Sequence, residues 1–240
     1  MHPRRTVSVA LLFSLLLFVR GTCWAQGWVD EGWAAWEAEL TARQQPEKVM
    51  DLIGLKPGMR VAEIGAQVGR FTVHLARRVG PEGRVFANDI DDRALANLRG
   101  RVSRYNVPNI EVVLGLVDDP RLPAGALDLA IMVRTYHELA QPAALLSKLK
   151  ASLKPGASVV IVDLDTERTG HSDARSSTSE GSIRSVARSV GYDVVGVHRF
   201  LPDDTIFVLH ARSSNDVDAR VEEAGAAWRA IETAPSWRRR

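Results

Sequence analysis

Cysteine is almost missing from this 240-residue chain: Cys23 is the only one. It lies in a stretch that reads as a removable leader, so the remaining chain has no thiol. That excludes thiolate catalysis, thiolate metal sites and CxxC redox chemistry. Long apolar runs are also missing. The N-terminal run from Val7 to Val19 has 13 residues, whereas a membrane-spanning helix needs roughly 20. Arg4 and Arg5 precede that run, and Thr22-Cys-Trp-Ala25 follows it before Gln26. Basic start, apolar middle and small residues before a cut describe a secretory signal peptide over 1–25. The expectation is export to a periplasmic or secreted location, with no stable membrane span once the leader is cut after Ala25. A retained anchor is the weaker alternative.

A surplus of one charge is the third absence. The leader holds Arg4, Arg5 and Arg20 and no acid, so residues 26–240 carry 28 basic and 29 acidic residues, a formal −1. Nothing in that balance suggests a nucleic-acid surface. No internal repeat stands out at periods of 20–50 residues.

What is present is an alternation of apolar runs and helical patterns. Residues 26–45 form an N-terminal helical segment, in which Trp33, Trp36 and Leu40 share one face. Its tryptophans are expected to pack on the domain. Pro46 suits the first turn of a second helix through Leu55, and Lys56-Pro-Gly58 turns the chain. Strands are expected at 60–64, 84–88, 110–114, 127–133 and 158–163, with helices at 69–79, 92–104 and 141–153. Near-continuous apolar runs such as Ala126 to Val133 suit strands buried on both faces. The β-α alternation implies a parallel sheet with right-handed crossovers. A polar loop over 165–182 and a helix at 182–190 follow. Two strands at 192–200 and 205–212 are joined by a link short enough to make them an antiparallel hairpin. Residues 213–240 read as a helical tail, with Val217, Val221, Ala224, Trp228 and Ile231 on one stripe.

The most informative stretch is Val61-Ala-Glu-Ile-Gly-Ala-Gln-Val-Gly69, with Asp89 at the end of the next apolar run. A strand ending in an acid, a loop with two glycines and an acid on the second strand build a nucleoside crevice at the carboxyl ends of a parallel sheet. Glycines allow close approach because they lack a Cβ. A dinucleotide-binding loop would read G-x-G-x-x-G, but Gly65 to Gly69 reads G-x-x-x-G.

Over about residues 46–212 the ordered set resembles the class I S-adenosylmethionine (SAM)-dependent methyltransferases. The quoted features are Glu63 to Gly69, Phe86-Ala-Asn-Asp-Ile90, Leu114-Gly-Leu-Val-Asp118-Asp119-Pro, Asp128 to His137, and Leu153-Lys-Pro-Gly156. The resemblance implies an α/β fold: a Rossmann-like sandwich with a mostly parallel seven-stranded sheet and a C-terminal antiparallel hairpin. Its last strand is expected to insert beside the fifth. The implied cofactor is SAM. Its site residues would be Glu63, Gly65, Ala66, Gln67, Gly69, Asp89, Ile90, Asp118, Val133 and Arg134. Glu63 would face the cofactor's ammonium, Asp89 its ribose and Ile90 its adenine. Tyr136 and His137 follow the fourth strand, where acceptor chemistry sits in this fold, and a histidine can take a proton near neutral pH.

The sequence departs from the family where the loop commonly has a middle glycine, because Gln67 stands there. A side chain there either blocks the approach or forces a different backbone, or it points outward. Asp163, Asp165 and His171 match no metal-site spacing, so no metal is expected. Two functions stay open: a methyltransferase acting on a small acceptor, or a non-catalytic exported binding protein on the same fold.

Overall fold

The strands form where apolar residues run without interruption, and the helices start and stop at recognisable backbone signals. The computed structural model describes residues 27–165, 168 and 178–212. The proposed leader, most of the 165–182 loop with His171, and the C-terminal tail lie outside the described residues. Residues 1–42 and 43–240 are separate compact units. The helix α1, Gly27–Gln44, crosses that boundary, and its Trp36 is 46% exposed.

In the larger unit, α2 is Pro46–Leu52, with proline in its first turn as expected. It ends before Leu55 because Gly54 turns left-handed (φ 67°). The Leu55 N–H then bonds back to Met50 O at 2.9 Å. β1 is Arg60–Ile64, α3 Arg70–Val79, β2 Arg84–Asp89, α4 Asp92–Tyr105 and β3 Ile110–Leu114. Asp91 caps α4 by accepting from Arg93 N and Ala94 N. β4 is Leu127–Val133, followed by a 3₁₀ turn at Tyr136–Glu138 and α5 at Pro142–Lys150. β5 is Leu153–Leu164, α6 Glu180–Ser189, β6 Tyr192–His198 and β7 Asp204–Ala211.

Two expectations need correction here. α5 stops at Lys150 rather than 153, and β5 starts at Leu153 rather than 158. Leu153 pairs with Leu127, and Ser158 with Leu129, so the Pro-Gly turn is a bulge inside one long strand. Gly156 supplies its left-handed residue, φ 79°.

The seven strands lie in the order β3-β2-β1-β4-β5-β7-β6. β7 runs antiparallel to both β5 and β6, as the resemblance implied. Alternate residues feed opposite cores, as a pleated strand requires. Val61, Ile131 and Val160 join Phe71, Leu75, Leu95 and Leu98 on one face. Ala62, Met132 and Ile161 join Leu145, Leu146, Ile183 and Tyr192 on the other. The sheet is buried on both sides, so its strands carry no polar alternation. Strand order reverses between β1 and β4, which puts the crevice at their carboxyl ends.

Candidate active site

Glu63 is the last but one residue of β1 and is 3% exposed. The Thr72 hydroxyl, one turn into α3, donates to its carboxylate. Burial nevertheless dominates and pushes the Glu63 carboxyl up to about 7, against the opposing hydrogen bond and the nearby Arg70. Such a carboxyl is poised to ionise beside a cation.

The loop after β1 takes three left-handed residues: Gly65 (φ 75°), Gln67 (φ 46°) and Gly69 (φ 80°). Gly65 N and Ala66 N both donate to Asn88 O, at 2.8 and 2.9 Å, which ties the loop to β2. A Cβ on Gly65 would fall well inside van der Waals contact of the Thr135 side chain, with Thr135 Cβ itself at 2.8 Å. One on Gly69 would lie 2.9 Å from Leu98 Cγ. Both glycines are therefore required by the protein's own packing as well as by backbone conformation.

Gln67 does not force a different backbone. It adopts the glycine-like conformation, and its side chain is exposed. Left-handed geometry costs an ordinary residue about 1–2 kcal/mol. The Gln67 N–H donates to Asp89 Oδ2 at 2.7 Å, and a bond to a charged acceptor is worth about 1.5–3 kcal/mol. The second term covers the first.

Asp89 is 8% exposed. Its other oxygen, Oδ1, accepts from Asp91 N at 2.9 Å. Each carboxylate oxygen accepts more than one hydrogen bond, so Asp89 can brace the loop and still take a ribose hydroxyl. Beside it Ile90 is 59% exposed, and Leu116 and Val117 are 44% and 41% exposed. Gly115 N donates to Asp89 O at 2.9 Å, which holds this apolar group against the acid. Exposed apolar side chains beside a polar cradle suit the face of a purine. Asp118 is half-buried in the following turn. Asp119 is committed to that turn, since its carboxylate accepts from Arg121 N and its carbonyl from Leu116 N.

The other half of the site follows β4. Val133 is 9% exposed. Arg134 takes a left-handed φ of 55°, and its guanidinium is bound to Asp204, with Asp203 at 3.8 Å. Its charge is thus matched at the start of β7. Burial raises the Asp204 carboxyl, against the pull of Arg134.

Tyr136 is 5% exposed, and among the described residues its hydroxyl has no hydrogen-bond partner. Burial pushes its phenol up to about 12. His137 is held twice by Asp163 at the end of β5. Its backbone N–H donates to Oδ2 at 2.9 Å, and its ring Nδ1 lies 2.7 Å from Oδ1. That hydrogen bond raises the imidazole, with burial opposing.

Sequence reasoning considered Asp163 only as a metal ligand and missed it as the partner of His137. An acid at the carboxyl end of the strand next to β4 was the available signal. The structure brings Glu63, Gly65, Ala66, Gln67, Gly69, Asp89 and Ile90 together. It sets Val133, Tyr136 and His137 on the neighbouring strand end. Arg134 is turned toward β7.

Comparison with known proteins follows the same outline. Residues 61–156 match a family described as a methyltransferase domain. A solved SAM-dependent methyltransferase from Aquifex aeolicus is 28% identical with a TM-score of 0.65, covering 68% of this chain and 88% of that one. The tRNA (adenine(58)-N(1))-methyltransferase TrmI of Thermus thermophilus is 32% identical over 119 residues, which are 49% of this chain and 45% of that protein. The SAM-dependent Diels-Alderase iccD of Talaromyces variabilis is 25% identical over 146 residues, 60% of this chain and 49% of that protein. The chain spans about half the length of these two curated relatives or less.

Proposed function

Because this chain carries a class I SAM-dependent methyltransferase domain, with SAM as its cofactor, we propose that it transfers a methyl group to a small acceptor after export. The observation that carries the reading is the loop from Gly65 to Gly69. It keeps its left-handed cradle over Asp89 despite Gln67. In this reading Glu63 meets the cofactor's ammonium, Gly65, Ala66, Gln67 and Gly69 admit its amino-acid and ribose parts, and Asp89 takes the ribose hydroxyls. Ile90 packs on the adenine, with Asp118 near its exocyclic amine, and Val133 borders the methyl end. The cofactor supplies a methyl group on a sulfonium, which is already a good leaving group. The protein's task is alignment and exclusion of water.

Tyr136 and His137 border the acceptor side. A small acceptor fits a near-neutral chain better than nucleic acid does, although the relatives include tRNA and rRNA methyltransferases. Among the described residues no helix is long and apolar enough to cross a membrane.

A second reading is a non-catalytic exported binding protein that keeps this fold while its cofactor loop has degenerated. Gln67, standing where the family commonly has a glycine, favours it. Calorimetry of SAM against the parent, Gln67→Gly and Asp89→Ala separates the readings. Binding abolished by Asp89→Ala supports the enzyme. Binding restored only by Gln67→Gly supports the degenerate module, and no binding in any form removes SAM as the cofactor. Mass spectrometry of the N-terminus of the recovered protein tests cleavage after Ala25.

A further inference from the structure

We propose that Asp163 is a positioning residue that presents His137 as a base, and that the acceptor is a small hydroxyl compound that loses a proton as it is methylated. This inference rests on the methyltransferase reading. Asp163 is fully buried, 0% exposed. A carboxylate out of water persists only where hydrogen-bond donors surround it. Here Oδ2 accepts from His137 N at 2.9 Å, and Oδ1 accepts from Leu164 N at 2.8 Å while facing His137 Nδ1 at 2.7 Å. With Nδ1 as the donor, the neutral ring keeps its lone pair on Nε2.

The backbone bond alone would fix the 3₁₀ turn, so the ring contact adds the choice of tautomer and orientation. The His137 side chain is 12% exposed, shielded but reachable. The charged groups facing it are Asp163 from β5, Glu138 from its own turn with Oε1 3.7 Å from Nε2, and Arg134 before it. The two acids favour a proton on the ring and Arg134 opposes them. The balance suits a base that must hold the proton it takes.

The acceptor class follows from what such a base can do. An aromatic amine attacks through its own lone pair, and an aromatic thiol ionises near neutrality. A hydroxyl gains most, because its nucleophilic form must lose a proton. The hydroxyl oxygen bonds to the methyl carbon while His137 Nε2 takes its proton. The carbon–sulfur bond breaks with its electron pair left on sulfur, and the imidazolium returns the proton to water. The buried Tyr136 hydroxyl, without a partner among the described residues, lies in the same turn. It offers a donor to a polar acceptor.

The test is ring-nitrogen NMR of the purified protein, with the His137 signal assigned by His137→Gln. Expected are the Nδ1–H tautomer and a His137 titration midpoint at least one pH unit above that in Asp163→Asn. An Nε2–H tautomer, or an unchanged midpoint, overturns the positioning role. An S-adenosylhomocysteine analogue bearing an amine in place of the methyl group should lower that midpoint relative to S-adenosylhomocysteine itself. Equal midpoints would overturn the base role. If neither analogue binds, the proposed function and the base role fall together, while the tautomer stands as measured. Phenol, aniline and thiophenol are then added to the S-adenosylhomocysteine-loaded protein. Phenol should move the His137 ring signal most. An equal or larger shift with the other two, or none with any, overturns the hydroxyl assignment.

Discussion

The two ends of the crevice are held in place by different kinds of bond. At the cofactor end, every donor is a backbone N–H: Gly65 N and Ala66 N on Asn88 O, Gln67 N and Asp91 N on the Asp89 carboxylate. At the end that follows β4, side-chain pairs add to this: the His137 ring with Asp163 of the neighbouring strand, and Arg134 with Asp204 across 70 residues. A backbone donor is indifferent to its own side chain as long as φ is met, which is why Gln67 can replace a glycine. Side-chain pairs between strands allow no such substitution, because removing one partner strands the other in the interior.

The sharpest way to break the contrast is Gly65→Ala. At φ 75°, with Thr135 in the way, it should cost about 2–4 kcal/mol of stability and reduce SAM affinity at least about 100-fold, given the close fit that binding requires. Urea unfolding and calorimetry read both effects. Adding Thr135→Gly should recover all but the backbone strain of about 1–2 kcal/mol.

Next in size is Glu63, whose carboxyl is raised to about 7 in the folded protein. The unfolded chain loses that proton near 4.5. Between those values the folded state binds more protons. Stability present below pH 4.5 is therefore lost as pH rises through 7, by roughly 3 kcal/mol at most. Glu63→Gln should flatten that slope in urea unfolding between pH 4.5 and 8. SAM binding by the parent should release a proton below pH 7, seen as a dependence of the binding heat on the buffer.

Tyr136→Phe comes third. It removes a buried hydroxyl without a partner, so stability should hold or rise by about 1 kcal/mol. A thermal melt that fell by several degrees would show that the hydroxyl is bonded after all.

The smallest effect is expected at Gln67→Gly. Relief of left-handed strain, offset by glycine's larger unfolded freedom, leaves a gain of about 0.5–1 kcal/mol. SAM affinity should change less than about threefold, by calorimetry.

The same division separates what the sequence revealed from what it hid. β1, β3 and β4 were read at their observed bounds, because an apolar run between turn residues is a local pattern. Gly65, Gly69, Asp89 and Ile90 were legible for the same reason. The early end of α2 was hidden because Gly54 acts as a left-handed stop only when the chain after it turns back. The start of β5 was hidden because Lys154-Pro-Gly156 has turn composition, and only its pairing with β4 makes it a bulge. The pairing of Asp163 with His137 was out of reach, since it depends on which strand ends become neighbours. The left-handed backbone of Arg134 is of this kind too, occurring where its guanidinium meets Asp204 on the last strand.

That last strand has a consequence for the order in which the site is built. β7 slots between β5 and β6, so Asp204 reaches Arg134 only after the final hairpin has threaded into place. The hydrogen bonds that hold the loop around Asp89 come from residues 65–91, together with Gly115 N on Asp89 O. During synthesis, the chain would thus have the partners of its Asp89 loop available before the partner of Arg134. A molecule arrested before residue 204 would leave the Arg134 guanidinium without the carboxylate that matches it.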